Sequence, residues 1–328
     1  MSQQAIAQPH EPELSPRSRS VQVLVRSASV IGSYILVILL WLVASTFIPG
    51  LHNPIPVLQT ASFLGIVAAG QTIVVLAAGI DLSVSMTVSV ASVAVSILLG
   101  RYHSGTFGAV SITLALCAVV GLVNGVGTFY LRISPMVMTL GTLSILQGAF
   151  LLYTGGSVVT GQSQFLSALG GGASLGVPNP VWVWIGVSAL VVAIVARTRT
   201  GIGLYALGSN STAATLSGVR TASVTVVAYI LCAVFAGIAG ILLFGYAGQG
   251  YMQLGDPYQL NSIAAVVLGG TSILGGRGSY IGTIAGSVLL TLVVVILTSV
   301  NLGAGAREVV EGLLILALLA AYGRERRR

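Results

Sequence analysis

Long apolar runs, separated by short polar or glycine-containing stretches, dominate the chain. Residues 27–80 and 133–196 contain no Asp, Glu, Lys or Arg, and a helix needs only about 20 apolar residues to cross a bilayer. The runs predict ten membrane-spanning helices, at 29–48, 58–78, 83–99, 107–128, 136–154, 180–196, 224–246, 259–275, 280–300 and 306–322. The chain is therefore predicted to be an all-α polytopic membrane protein.

Some of these helices are predicted to be short or broken. Gly79-Ile80-Asp81 and Gly275-Gly276-Arg277-Gly278 interrupt the apolar pattern, and glycine lets the backbone turn where other residues are strained. The residues expected to form the breaks are Gly79, Asp81, Ser83, Gly269, Gly270, Gly275 and Gly276. Broken helices in a membrane are typical of a translocation path and not of an inert anchor.

Small and polar residues also recur inside the predicted spans. Glycines stand four residues apart at Gly121 and Gly125, and again at Gly278, Gly282 and Gly286, a spacing that lets helices approach closely in lipid. Polar side chains occur at Gln71, Asn124, Thr139, Thr142, Ser144, Gln147, Asn261, Thr271 and Ser272. In hydrocarbon such groups need protein partners or a watery cavity.

The composition agrees with a membrane protein and excludes a water-soluble core. Hydrophobic residues make up 55% of the chain and charged residues 6%, against about 25% charged residues in soluble domains. The net charge of +7 comes from fourteen arginines at the span ends, with no lysine. Because they form no patch with aromatic residues, nucleic-acid binding is not indicated.

The arginines predict the orientation. A cytoplasmic N-terminus places twelve of the fourteen on the cytoplasmic side and leaves Arg101 and Arg307 outside, as the positive-inside rule requires. Ten spans then return the C-terminus to the cytoplasm. Trp182 and Trp184 begin the sixth span on the outer side, where an interfacial aromatic belt is expected.

The chain divides into three predicted parts. Residues 1–27 are polar and expected to be a disordered cytoplasmic tail, 28–323 form the transmembrane domain, and 324–328 form a basic cytoplasmic tail. Residues 155–180 lie outside and carry no charge, and re-entry into the membrane edge stays open. Cys117 and Cys232 fall within apolar spans and are expected to be buried small residues, not a disulfide or metal pair.

The loop 197–223 is the one long cytoplasmic segment between predicted spans that carries several arginines. Asn210 is suited to cap a short helix over 211–219, Ala213, Ala214 and Leu216 favour helix, and Gly218 is suited to end it. The helix either lies on the lipid headgroups or acts as a coupling helix that fits a groove in a cytoplasmic ATPase.

Two further motifs have competing interpretations. Asp81, the only acid between Glu13 and Asp256, either caps the helix that follows it or carries a proton, as acids near a membrane often do. Gly270 and Gly275 have the spacing of a phosphate-binding loop, but Gly276 and Arg277 follow where that motif needs lysine. The glycine stretch is therefore predicted to be a tight bend. No metal-ligand spacing or nucleophile–base pair is evident, so the chain is not predicted to be an enzyme.

Four segments resemble the permease subunits of bacterial ATP-binding-cassette (ABC) importers for monosaccharides, of the ribose, xylose, arabinose, galactose and autoinducer-2 type. They are 70–83 (GQTIVVLAAGIDLS), 134–148 (SPMVMTLGTLSILQG), 205–219 (YALGSNSTAATLSGV) and 261–282 (NSIAAVVLGGTSILGGRGSYIG). The four occur in the family's order and extend from the second span to the ninth. Two positions depart from the pattern, since Ser85 and Ala78 stand where the family often has glycine.

The resemblance implies a permease subunit of the bacterial inner membrane that moves a monosaccharide or similar polyol. It implies as partners a cytoplasmic ATPase, which would hold ATP and magnesium, a periplasmic sugar-binding protein, and a second permease copy or a sister permease. This chain would bind no cofactor. The coupling residues would be Asn210, Ala213, Ala214, Leu216, Ser217 and Gly218.

Gln71, Asn124, Thr139 and Thr142 are expected to line the path, because a sugar needs hydrogen-bond partners in an apolar channel. The alternative function is a proton-coupled secondary transporter that uses Asp81. It predicts uptake that follows the proton gradient and needs no ATPase. The sequence does not identify the sugar, and it leaves homodimer and heterodimer open.

Overall fold

The computed structural model describes residues 16–103, 105–300, 303, 305–307, 309–310 and 312–313. Its helices are α1 (Pro16–Phe47), α2 (Ile55–Leu76), α3 (Val84–Gly100), α4 (Thr106–Phe129), α5 (Pro135–Thr154), α6 (Gln164–Gly171), α7 (Asn179–Arg197), α8 (Arg199–Ser209), α9 (Ser211–Leu216), α10 (Thr221–Ala247), α11 (Tyr258–Leu268) and α12 (Tyr280–Ser299). Two 3-10 turns occupy Pro49–His52 and Met252–Gly255.

Strand structure in the described residues is limited to two short ladders. The strands are β1 (Val159–Thr160), β2 (Ala173–Ser174), β3 (Val177–Pro178) and β4 (Gln249–Gly250). β1 pairs antiparallel with β4, and β2 with β3. The prediction of an all-α polytopic membrane protein is confirmed.

Nine of the ten predicted spans coincide with helices, and the tenth, 306–322, lies mostly outside the described residues. Seven helices are long and apolar enough to cross a membrane: α1 (from Val30), α2, α4, α5, α7, α10 and α12. α3 is a shorter apolar helix. α11 has only 11 residues and ends at Leu268, because the glycine bend begins earlier than predicted.

The N-terminal prediction needs a correction. The helix α1 begins at Pro16, so residues 16–27 are helical and not part of a disordered tail. Proline is well placed at the first position of a helix, and no proline or glycine follows it before Gly32. The last tail, 324–328, lies outside the described residues.

The centre of the bundle is formed by α2, α3 and α10. α10 packs against α2, α3, α4 and α6, and side chains such as Ile66, Ile73, Val88 and Phe235 are almost wholly buried between these helices. α4, α5 and α7 lie at the periphery, with most of their surface uncovered by the chain. Helices that are apolar all round are expected to be buried, and α2 and α10 agree.

The glycine repeats form close helix contacts, as predicted, except that Gly278 precedes α12 and lies against Thr271. A Cβ atom at Gly121 would lie 2.6 Å from Ile230 Cα, and one at Gly125 would lie 2.7 Å from Val226 Cα, both on α10. Gly282 and Gly286 of α12 face the backbone of Gly269 and Ala265 in the same way. Only glycine lets these backbones meet.

The predictions for the tryptophans at the start of the sixth span and for the two cysteines have different outcomes. Trp182 is exposed, whereas Trp184 is 5% exposed and donates a hydrogen bond from Nε1 to Tyr280 Oη at 2.9 Å. The belt prediction was therefore wrong for Trp184, since side chains two positions apart on a helix point about 200° apart. Cys117 and Cys232 are buried free thiols, so that prediction is confirmed.

The outer segment 155–180 contains α6 and three of the short strands. Gly170 lies against the backbone of Leu242 and Gly245 near the outer end of α10. α6 therefore packs on the end of the central helix. This position explains how an uncharged, glycine-rich segment stays ordered.

Substitution Gly121→Val should lower the free energy of unfolding by about 1–3 kcal/mol, the usual cost of overpacking. The added methyl groups would push α4 away from Ile230. Thermal unfolding in detergent, followed by tryptophan fluorescence, measures the change. Gly186→Val is the matched control, since nothing lies within 4 Å of a Cβ at Gly186. Equal melting temperatures for the two variants would contradict this packing.

Candidate functional site

The loop between α7 and α10, which the sequence predicts to be cytoplasmic, contains two helices, α8 and α9. Asn210 caps α9, because its Oδ1 accepts a hydrogen bond from Ala213 N at 3.0 Å. Gly218, with φ of +80°, lies just beyond its end. Both features were predicted, although α9 ends at Leu216 and not at Val219.

The sequence analysis missed the helix α8. Thr198 Oγ1 accepts a hydrogen bond from Gly201 N at 3.2 Å, which is a helix N-cap. Thr198, which directly follows the end of α7, was the signal in the sequence for this cap. The three glycines of α8, Gly201, Gly203 and Gly208, lower its helix propensity and concealed it.

α9 has one face turned inward and the others exposed. Ala214 is 4% exposed, whereas Leu216 is 84% exposed. Ala213, Ser217 and Gly218 are exposed too. The helix therefore presents an apolar tip, and exposed arginines stand nearby in sequence at Arg199 and Arg220.

α8 connects this loop to the broken helices through backbone contacts. Gly276 N donates a hydrogen bond to Leu76 O at 3.0 Å, and Gly208 lies against both of these groups. A Cβ at Gly275 would lie 2.7 Å from Ala78 Cβ. We call these five residues, Leu76, Ala78, Gly208, Gly275 and Gly276, the glycine junction.

The bend that follows α11 is built on left-handed glycines. Gly270, Gly275 and Gly276 have φ of +83°, +83° and +66°. Ser272 N donates to Arg277 O at 2.8 Å, which closes the loop. Gly269 lies against Gly282 on α12. The prediction of a tight, glycine-bent connection is confirmed.

Asp81 is fully buried between α2 and α3. Its Oδ1 accepts hydrogen bonds from Ser83 N at 2.9 Å and from Ser83 Oγ at 2.6 Å. This is an Asx turn. α3 begins only at Val84, so Asp81 fixes the turn before α3 and does not cap a helix at Leu82. Gly79 leaves room for Tyr229, whose Oη would lie 2.7 Å from a Cβ there.

The four residues expected to line the path meet around this turn. Asn124 Nδ2 donates to Ser83 Oγ at 2.9 Å, and Thr142 Oγ1 donates to Asn124 Oδ1 at 2.6 Å. Thr139 Oγ1 accepts from Leu82 N at 3.1 Å. With its amide oriented to satisfy both groups, Gln71 accepts from Asp81 N at 3.3 Å and donates to Asp81 O at 3.2 Å.

We call this set the Asp81 network: Gln71, Asp81, Ser83, Asn124, Thr139 and Thr142. None of its members is more than 6% exposed, so in this conformation their hydrogen bonds hold the break together. A role in lining the path stays a prediction. Buried polar groups need hydrogen-bond partners. This requirement was the signal in the sequence that polar residues of the spans would meet Asp81 and Ser83.

Comparison with known proteins agrees with a transport function. The family model described as "Branched-chain amino acid transport system / permease component" matches residues 53–321. The ribose import permease protein of Escherichia coli K12 is 35% identical over 265 residues, 79% of this chain and 82% of that protein. The autoinducer 2 import system permease protein of E. coli K12 / DH10B is 36% identical over 270 residues, 82% of this chain and 79% of that protein.

The chain belongs to this permease family. It is a membrane-spanning permease subunit of an ABC importer. The autoinducer 2 permease of Salmonella paratyphi B is 35% identical over 82% of this chain and 78% of its own length. No solved structure matches the chain.

In this permease, Ala78 departs from the family pattern at a strained position. Its φ is +61°, a left-handed conformation that costs an L-residue about 1–2 kcal/mol and glycine almost nothing. The turn therefore forms with alanine in place of glycine, but the backbone strain at Ala78 lowers the stability of the fold. Ser85, the other departure, is 2% exposed and lies against Gly255.

Ala78→Gly should raise the melting temperature of the permease, because glycine relieves about 1 kcal/mol of backbone strain. Ala77→Gly is the control, since Ala77 has φ of −84° and gains nothing from glycine. Differential scanning fluorimetry in detergent compares the two. A lower melting temperature for Ala78→Gly than for the wild type would contradict the proposed strain.

Asp81→Asn should retain most of the transport activity, because asparagine also forms Asx turns through its Oδ1. Asp81→Ala removes both hydrogen bonds from Ser83 and should lower the free energy of unfolding by about 1–3 kcal/mol. Uptake in proteoliposomes and thermal unfolding measure the two effects. Loss of transport by a stably folded Asp81→Asn variant would instead support a proton-carrying role.

Proposed function

We propose that this permease imports a monosaccharide or a similar small polyol across a bacterial inner membrane. The relatives named for ribose and for autoinducer 2 each align with about four fifths of the chain and support this substrate class. The family description instead names branched-chain amino acids. The family description and the relatives therefore point to different substrate classes, one zwitterionic and one uncharged.

The charges of the chain favour an uncharged substrate. A zwitterion in a membrane path needs compensating charges, which are costly there and are kept only for function. In the described membrane-spanning helices from Val30 on, the only charged side chain is that of Arg197, at the end of α7. Asp81, in the turn between α2 and α3, is buried and bound to Ser83. A hydroxyl-rich neutral molecule is the better match.

The proposed energy source is a separate cytoplasmic ATPase, which binds ATP and magnesium in place of this chain. The observation that supports this most is the exposed apolar tip of α9, with Leu216 84% exposed on a capped helix between Arg199 and Arg220. An exposed leucine at the end of a short capped helix is suited to a groove in a protein partner. Asn210, Ala213, Ser217 and Gly218 hold and surround that tip.

The glycine junction supports a route for the motion. A displacement of α9 moves α8, and α8 contacts the end of α2 and the glycine bend through Gly208. The end of α2 leads directly into the Asp81 turn, which is tied to α4 and α5 through Asn124 and Thr139. A movement of the ATPase that displaces α9 would thus displace the break between α2 and α3 as well.

The outer face offers a place for the substrate-binding protein. A cleft of about 1050 Å³ lies there, bordered by Arg101, His103, Tyr153, Thr154 and Gln162 among others. Arg101 is one of the two arginines expected outside, and it is exposed. An acidic residue of the binding protein is suited to Arg101. The second half of the path is provided by another copy or a sister permease.

Leu216→Asp tests the proposed function. The variant should fold normally, because the side chain is exposed, yet lose ATPase co-purification and ATP-driven uptake in proteoliposomes, since a buried unpaired carboxylate weakens an interface by several kcal/mol. Uptake is measured with a panel of labelled monosaccharides, the ATPase and the binding protein.

Leu175→Asp is the matched control, with a leucine that is 93% exposed on the outer segment. It should retain ATPase binding and uptake. A charge at Ala214, as in Ala214→Glu, would not test ATPase docking alone, because Ala214 is buried in the chain and its replacement would disturb folding. Wild-type uptake that proceeds without the ATPase would contradict the proposed function.

A further inference from the structure

The outward face of α5 differs from the outward faces of the other peripheral helices. α4 exposes one polar side chain, Ser111, near its outer end, and its exposed side chains from Ile112 to Val126 are all apolar. In α7 the exposed side chains from Ile185 to Ala196 are all apolar. These surfaces are suited to lipid. α5 exposes Ser144 and Gln147 in the middle of its span.

Neither polar side chain of α5 has a partner in the described part of the chain. The two members of the Asp81 network on α5, Thr139 and Thr142, are instead hydrogen-bonded on the inward side of the helix. Ser144 and Gln147 form no hydrogen bond that would remove them from lipid. An unsatisfied amide in hydrocarbon costs several kcal/mol, so this face is not turned to lipid in the assembled transporter.

The backbone beside these side chains is open as well. Nothing lies within 4 Å of a Cβ built at Gly141 or Gly148, whereas the glycines of α4 and α12 described above all meet a neighbouring helix. Gly141, Ser144 and Gly148 follow one another at intervals of three and four residues, so they share one face of α5. This face therefore has free space along it.

The outer cleft is continuous with the same helix. Thr154 borders the cleft and lies seven residues, or two helical turns, from Gln147, so the two residues stand nearly above one another. Thr154, Gln147 and Ser144 are therefore polar residues on this side of α5, with the apolar Phe150 and Leu151 between Thr154 and Gln147. Gln147 is about 10 Å below the outer end of the helix at the usual rise per residue.

We propose that Gln147 and Ser144 line the translocation path and bind the hydroxyl groups of the substrate. Glutamine offers both donors and an acceptor, and serine offers one of each, which suits neighbouring hydroxyls of an uncharged polyol. This proposal deepens the proposed function and rests on it for the substrate class. Gln147 and Ser144 are not members of the Asp81 network, so substrate bound to them would leave the hydrogen bonds of that network intact.

The exposure of α5 to water can be measured directly. Cys117 and Cys232 are replaced by alanine, and a nitroxide spin label is attached to Gln147→Cys in the permease reconstituted with its ATPase in liposomes. Power saturation of the electron paramagnetic resonance signal compares collisions with Ni(II)-EDDA, which stays in water, and with oxygen, which concentrates in lipid.

Ile112→Cys is the matched control. Ile112 lies six residues from the outer end of α4, and Gln147 lies seven from that of α5, so both labels have a similar depth. We expect the label at 147 to collide mainly with Ni(II)-EDDA and the label at 112 mainly with oxygen. Gln147→Leu should in addition lower sugar uptake several-fold, with partial recovery in Gln147→Asn.

Two outcomes would overturn the proposal. A label at 147 that collides mainly with oxygen would show that α5 faces lipid, and one shielded from both reagents would show that another protein surface covers it. The spin-label result does not depend on transport. Failure of the proposed function would appear separately, as wild-type permease that takes up none of the sugars with ATP.

Discussion

The backbone contact between the end of α2 and the glycine bend is the constraint on which the packing of α2, α8 and this bend depends. Gly276 N donates to Leu76 O at 3.0 Å, and Gly208 of α8 fits against both groups. Any side chain at these glycines would separate the three elements. Because the contact involves backbone atoms, it holds α8, the end of α2 and the glycine bend close together.

The Asp81 network solves a second problem, the exposed backbone and polar side chains of a broken membrane helix. A break in hydrocarbon leaves amide groups that need partners. Here Thr139 satisfies Leu82 N, and Gln71 pairs with the backbone of Asp81. The network joins α2, α4 and α5 at the point where the chain turns. The structure of the break therefore depends on these few side chains.

The sequence predicted the helices well because apolar runs of membrane length leave few alternatives. It predicted the cap at Asn210 and the close contacts at Gly121 and Gly282 for local reasons, namely side-chain chemistry and spacing. It could not show that Gln71 and Thr142 meet at Asp81, because that juxtaposition depends on how three helices cross. It also could not separate Thr142, which faces inward, from Gln147, which faces outward, without the rotation of α5.

The most direct test of the central claim is the effect of Gly208→Ala on coupling. ATPase co-purification, ATP hydrolysis and sugar uptake are measured together in proteoliposomes, with Gly186→Ala as the control at a glycine without neighbours. The glycine junction predicts that Gly208→Ala still binds the ATPase through α9 but loses ATP-driven uptake. Uptake at the wild-type rate would contradict transmission through this junction.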